Sequence, residues 1–421
     1  MLDTRAATVS ALRARIAALS GDHAGPRPAA REQPGIEARA AALGFVPERT
    51  PQGTRWVRRV TIDLTPALGS AGLGAPPAVV DLLSLLGHPS GDGAPTWLSG
   101  EGVGVLDIES LGLHGSGVMA FLVAVGVQYD AELRAEQFLL VDPGEEAALL
   151  AGIGEHIAAH RLWLTYNGRS FDIPVLAARC TLNRLPPSTV EPRVHGDLLG
   201  PVRRLFRDRL GPCTLRHAEM SLLSHHRVDD VPGAEAPARY RAWLRGAPAS
   251  VLAGVVEHNL QDIVSTAVLG ARLAAHVSGD PLRPAHPADA YHLGRHLERR
   301  GVADAAELEL RAAITSGVEP WARQATHRLA LALQRRGEME EATLLWQRLH
   351  DSDERDLPAA RGLAIRLERA GRLSEAVEVC VRVRRVRAEM GSWWQRLRGA
   401  STASGGEWDR REARLRRRVH S

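Results

Sequence analysis

The sequence predicts an α/β domain followed by an all-helical repeat domain, and three observations carry that prediction. Short apolar runs flanked by glycine and turn residues alternate with helical spacing between residues 100 and 279. Past a proline-rich break at 280–289 (DPLRPAHPAD), the strand signals stop. From there three segments share a leucine–small–leucine–glycine–alanine pattern, with glycines 36 and 34 residues apart. A chain of 421 residues, 44% hydrophobic and 24% charged, has room for two or three domains and a sizeable core.

Taken in order, residues 4–19 read as a short helix, and a Gly/Pro/Ala linker completes an N-terminal segment over 1–35. Residues 36–99 form an extension expected to pack on the next domain, with a strand at 54–64 and a helix at 77–87. The α/β domain, 100–279, opens with GVGVLDIE at 102–109, a buried strand by its length and flanks. Strands at 118–128 and 133–141 follow. A helix at 143–160 has proline at its opening, where a missing N–H costs nothing. A fourth strand at 161–167 precedes a helix at 172–182. In the repeats, 287–390, the sets Leu293/Gly294/Leu297/Gly301/Ala306, Leu329/Ala330/Leu333/Gly337/Ala342 and Leu363/Ala364/Leu367/Gly371/Ala376 align. Small residues permit close helix approach, and glycine ends the first helix of each pair. Such stacks resemble tetratricopeptide repeats, which implies a binding face for a protein partner. Residues 391–421 form an arginine-rich tail, read either as solvated chain or as a nucleic-acid contact.

Composition excludes several chemistries. All 53 basic residues are arginine, so there is no lysine for a P-loop, a kinase nucleotide clamp or a Schiff base. The net charge of +4 is a mild tilt towards polyanions. Cys180, Cys213 and Cys380 fit neither a disulfide framework nor a zinc site, and a reducing cytoplasm suits them. The first residues carry arginines through any apolar stretch, and no run reaches the ~18 apolar residues of a membrane span, so neither a signal peptide nor a membrane is expected. The glycines at 100, 102 and 104 precede their strand, which rules out a dinucleotide fingerprint. His156 and His160 have zinc-ligand spacing but no partner, so they read as a surface pair, and HHRVDD at 225–230 reads as a plain loop.

Carboxylates supply the chemistry. Asp107 and Glu109, at i and i+2 on a strand end, share one face, where they raise each other's pKa unless a cation sits between them. In YNGRSFD (166–172), Asn167 and Asp172 bracket a glycine turn, and in EHNLQD (257–262), His258 and Asp262 share a helix face. Hard oxygen donors of this kind suit Mg²⁺ or Mn²⁺. Asn167 reads either as a substrate-holding amide or as a turn residue, and Arg169 and Ser170 beside it are further nucleic-acid-binding candidates. Arg203, Arg204 and Arg207, on a predicted helix after HGDLLGP, read as phosphate contacts or as a solvated face. Asn259 reads as a helix-surface residue, and His195 and Asp197 as supporting or structural groups.

The order Asp-x-Glu, Asn-x4-Asp, His-x3-Asp resembles the ribonuclease H-like DEDD exonucleases, most closely the YprB-like subgroup, across residues 36–275. The proofreading domains of family B DNA polymerases have a similar arrangement. The resemblance implies a mixed central sheet flanked by helices. It implies that Asp107, Glu109, Asp172 and Asp262 hold two Mg²⁺ or Mn²⁺ ions, with His258 as general base. It implies 3′–5′ hydrolysis of single-stranded DNA or RNA. Two departures stand out: Ser110 where many members have threonine, and a histidine spacing of the tyrosine type. The alternative is a catalytically inactive ribonuclease H-like nucleic-acid-binding or protein adaptor that works through the helical repeats.

Overall fold

The computed structural model describes residues 34–68, 76–87, 102–112, 117–228, 230–278, 286–398 and 406–420. The helix expected over 4–19 lies outside them. The strands are β1 (Val46–Thr50), β2 (Gly53–Asp63), β3 (Val103–Leu111), β4 (Met119–Tyr129), β5 (Glu132–Leu139), β6 (Leu162–Thr165) and β7 (Val194–Asp197). They form one seven-stranded sheet in the order β1-β2-β5-β4-β3-β6-β7. Strands β3 and β6 run parallel, as do β6 and β7, while the other neighbours are antiparallel. Two strands were not predicted. Strand β1, VPERT, is mostly exposed and carries Pro47, which an edge strand tolerates. Strand β7 has only four residues, VHGD, too short for its period to show.

Nine α-helices accompany the sheet among the described residues; two are single turns, Thr65–Leu68 and Leu215–Ala218, and the longer ones are α1 (Ile36–Ala42), α2 (Pro76–Leu86), α3 (Glu146–Ala159), α4 (Asp172–Leu182), α5 (Leu199–Leu210), α6 (Ala236–Leu244) and α7 (Ser250–Ser278). Alternation along β3 divides the core. Val103 and Val105 pack with Val202 and Leu205 of α5 and Ile263 and Ala267 of α7. Leu106 and Ile108 point the other way, towards Ile153 of α3, Leu176 of α4 and Trp243 of α6. Each fully buried leucine of this kind contributes ~1.5–3 kcal/mol. Asp107 and Glu109 have the parity of Val105, so they emerge on the α7 side where the apolar packing ends.

The second region is all helical: α8 (Pro287–Arg299), α9 (Ala303–Thr315), α10 (Trp321–Arg336), α11 (Met339–Ser352), α12 (Leu357–Arg369), α13 (Leu373–Arg398) and α14 (Gly406–Val419). Gly301, Gly337 and Gly371 follow the first helix of each pair with φ of 77°, 89° and 76°, the left-handed ending that glycine adopts without strain. A Cβ on Gly294 would stand 3.0 Å from Leu310 Cγ, so the small residue is what lets α8 and α9 approach. Helix α14 lies within the arginine-rich tail, yet Trp408 and Leu415 are buried in the helical core. Leu293 and Leu297 of α8 join the core of the sheet domain beside α5. Among the described residues no helix is long and apolar enough to cross a membrane.

Candidate active site

The first two acids project from β3, whose register shifts between Glu109 and Ser110. Asp172 is the first residue of α4, a position where the helix dipole and free N–H groups favour an anion. Its own N–H and that of Ile108 donate to its carboxylate. Asp262 and His258 lie one turn apart on α7, which crosses β3. His258 Nε2 stands 3.9 Å from Glu109 Oε1 and 3.7 Å from Asp262 Oδ2. The five side chains singled out by sequence thus gather at one end of the sheet.

The electrostatics follow from this crowding. Burial, followed by the charges of Asp262, Asp172 and Glu109, pushes Asp107 well above the usual carboxylate range. Burial and the charges of Asp262 and Asp172 push Glu109 up to about 8. Asp172 is pushed up to about 7, chiefly by burial, against the two backbone bonds it accepts. Asp262 is also raised by burial, with Arg227 and His258 pulling against it. Carboxylates that repel one another at this density form a site that a cation would stabilise.

Sequence reasoning missed one such cation. After a single π-helical turn at Glu219–Leu223, Arg227 and Asp230 of the HHRVDD segment reach back to the site. The Arg227 side chain is 4% exposed and bonds both the fully buried Glu219 and Asp262. Asp230 accepts from His258 Nδ1 at 2.6 Å, which leaves Nε2 facing Glu109 and Asp262. The plain-loop reading of this segment is therefore corrected. A loop rich in ligand-type residues was the only signal, and the distance in sequence to the acids hid its meaning. Asn259 is corrected too. It is fully buried, donates through Nδ2 to Asp107 Oδ2 at 2.9 Å, and accepts from Gln137 Nε2 at 3.0 Å.

The turn residues hold the scaffold. Asn167 has φ of 71°, and its Oδ1 accepts from Ser170 Oγ at 2.9 Å. Asp197 accepts the N–H groups of Asn167, Arg169 and Leu199, pinning this turn to the start of α5. The Arg169 guanidinium donates to His195 O at 3.1 Å, and His195 Nε2 pairs with Thr165 Oγ1 at 2.8 Å. Arg203 and Arg207 are exposed on α5, and Arg204 NH1 donates to Leu85 O at 2.7 Å. Away from the site, His156 lies 3.4 Å from Glu136, and His160 bonds Tyr129.

Among the described residues, no group of three or more His, Cys, Asp or Glu side chains is arranged to hold a metal ion. The physical reason lies in the partners just described: Asp262 is taken up by Arg227, and one oxygen of Asp107 by Asn259. The donor chemistry still fits a hard divalent cation, because four crowded carboxyl groups supply oxygen ligands and a cation among them would favour their ionised form.

Comparison with known proteins agrees with this architecture. Residues 105–274 match the model of the RNase_H superfamily, and this part of the chain is an RNase H-like domain. Over 249 residues the chain is 30% identical to the uncharacterized protein YprB of Bacillus subtilis (strain 168), covering 58% of this chain and 59% of that protein. The chain thus spans about three fifths of the length of the curated relative it matches. The family B DNA polymerase of Pyrobaculum calidifontis is similar with a TM-score of 0.36 and 15% identity, over 57% of this chain and 30% of the polymerase.

Proposed function

We propose that the chain is a metal-dependent nuclease, a DEDD-type 3′–5′ exonuclease acting on single-stranded DNA or RNA. The observation that carries this reading is the convergence of Asp107, Glu109, Asp172 and Asp262, with raised carboxyl pKa values, around His258. These four carboxylates would hold Mg²⁺ or Mn²⁺, which when bound would lower the cost of negative charge building up on the phosphate.

The protein's own groups supply the rest. Asp230 fixes the tautomer of His258 so that Nε2 is the free ring nitrogen, able to take a proton from the attacking water. Asn259 aims Asp107, and is itself held by Gln137, whose Oε1 accepts from Arg58. Arg227 neutralises part of the acid cluster and keeps Asp262 paired until another cation competes for it. The helical region would serve a protein partner or the substrate itself.

The test is incubation of purified full-length protein with end-labelled single- and double-stranded DNA and RNA, with Mn²⁺, Mg²⁺ or EDTA. Divalent-dependent release of mononucleotides from the 3′ end is expected. No hydrolysis under any of these conditions, by folded protein, would hand the site to an adaptor role.

A further inference from the structure

Helix α8 of the helical region packs directly on α5 of the RNase H-like domain. Beneath the contact, Leu205 and Phe206 share a core with Leu293 and Leu297. At its edge Arg209 pairs with Asp289 at 2.7 Å, and His292 Nε2 stands 2.5 Å from Asp208. The two regions therefore present one continuous surface, built from the outer faces of both helices.

Charge on that surface is unbalanced. His296, Arg299 and Arg300 occupy the i, i+3 and i+4 positions of one α8 face. Two arginines at a helix C-terminus are explained by the helix dipole alone. Arg204 is not, because it arrives from α5 and meets Arg299 with no acid between them: burial and the Arg299 charge both lower its pKa. His296 is 5% exposed, and its Nε2 has no hydrogen-bond partner among the described residues. Burial first, and then Arg204, Arg299 and Arg300, push His296 down to about 4. Elsewhere in the helical region Arg311, Arg323, Arg328 and Arg336 each lie against an acid. Neither Arg204 nor Arg299 has an ion-pair partner among the described residues.

The place of this cluster matters. Helix α5 starts at Leu199, whose N–H is bound by the same Asp197 that pins the turn before Asp172. Arg204 lies five residues further on, ~7.5 Å along the axis at 1.5 Å per residue. Exposed Arg203 stands close enough to Tyr166, in the same turn, for its charge to lower the phenol's pKa against a larger rise from burial. Arg203 beside the Asn167 turn, and Arg204 facing Arg299, thus put guanidinium groups on α5 between the turn that precedes Asp172 and helix α8.

We infer that Arg204 and Arg299, backed by His296 and Arg300, form a second phosphate-binding point, shared between the two regions, for the backbone of a single-stranded nucleic acid whose reacting end lies in the carboxylate cleft. The inference rests on the nuclease reading for what occupies the cleft. Planar guanidinium groups on two packed helices stand close enough for their charges to interact, the arrangement a shared phosphate would relieve, and the unpartnered His296 nitrogen is near enough to feel both. The helical region would then belong to the substrate track, beyond any role in docking a protein.

The test measures binding without hydrolysis. Full-length protein carrying Asp107→Asn, in EDTA, is titrated into labelled single-stranded oligonucleotides of about 4 and about 16 nucleotides, the range of site sizes typical of such grooves. Arg299→Gln and Arg204→Gln/Arg299→Gln are compared with the parent. Removing one arginine–phosphate pairing to a single strand should reduce the salt slope by about 0.7, which at 0.1 M salt is about fivefold in affinity. The expected result is a weakening confined to the longer oligonucleotide, about fivefold for the single and about 25-fold for the double variant. Unchanged affinity, or equal weakening at both lengths, overturns the proposal. Arg204 also anchors Leu85, so the exposed Arg299→Gln decides the matter if the double variant melts early. Inorganic phosphate forms a separate arm: tight binding that leaves oligonucleotide affinity untouched would reassign the cluster to a free anion and overturn the backbone reading. If wild type fails to hydrolyse yet the length-dependent weakening persists, the nuclease reading falls and the phosphate point stands.

Discussion

In the helical region, many arginines meet acids: Arg311 lies 2.7 Å from Glu341, Arg323 lies 2.8 Å from Asp356, and Arg384 lies 2.7 Å from Glu412. In the cleft between β3 and α7, carboxylates chiefly meet one another. Asp107, Glu109, Asp172 and Asp262 are mostly desolvated, and Arg227 is the buried guanidinium set against them. The first arrangement is self-sufficient, and exposed pairs of its kind contribute little each. The second holds an energetic debt that folding alone leaves open, the usual mark of a place completed by a ligand. The pair at Arg204 and Arg299 is the positive counterpart of that cleft.

The sharpest way to break this comparison is to remove an acid. Asp107→Asn should reduce divalent-dependent hydrolysis by about 10³-fold, since the lost transition-state stabilisation is several kcal/mol. It should also raise the melting temperature of the metal-free protein at pH 8, because a repelling charge is gone. A lower melting temperature would show that the cleft is ordinary structure. His258→Ala should cost ~10²–10⁴-fold in turnover with metal affinity little changed, which calorimetric titration of Mn²⁺ would check.

Removing the internal cation has the opposite effect on stability. Arg227→Gln leaves Glu219 buried without its partner, and breaking a buried pair in this way typically costs about 3–5 kcal/mol. Denaturant unfolding should show that loss, and Mn²⁺ should recover part of it.

The pH dependence follows from the raised carboxyl groups. Glu109 moves from 4.5 to about 8 on folding, and Asp172 from 3.8 to about 7. A raised folded-state pKa means stability that is full below the unfolded value and is lost as pH rises through the folded one. The metal-free protein should therefore weaken between about pH 4 and pH 8, and Mg²⁺ should raise the melting temperature more at pH 8 than at pH 5. A melting temperature independent of pH over this window would remove the electrostatic strain from the account. The smallest effect belongs to the paired region: Arg311→Ala should change stability by no more than about 1 kcal/mol in denaturant unfolding.

Much of the site was legible because its parts are local. A period of two places Asp107 and Glu109 on one strand face, and a spacing of four places His258 and Asp262 on one helix face. Helix α4 follows its expected bounds, since the glycine turn before it and the apolar spacing within it are short-range signals. The groups that tune the site were not legible. Glu219, Arg227 and Asp230 reach the acids through a π turn and a loop, which have no period to read. Asn259 looks like a polar residue on a helix surface until β3 is laid against that surface and Asp107 meets it.

Local pattern, then, determined on its own the five longer or apolar strands β2 to β6, which acids share a face, and where glycine ends the first helix of each helical pair. Those outcomes depend on backbone geometry and on interactions within a few residues. Only the tertiary structure decided the sheet order, the pairing of edge strands β1 and β7, and the burial of Arg227 among the carboxylates. It alone decided that α8 docks on α5 and brings Arg299 to Arg204. The reason is range: burial and Coulomb energies depend on neighbours in space, and residues 204 and 299 become neighbours only once their helices have packed.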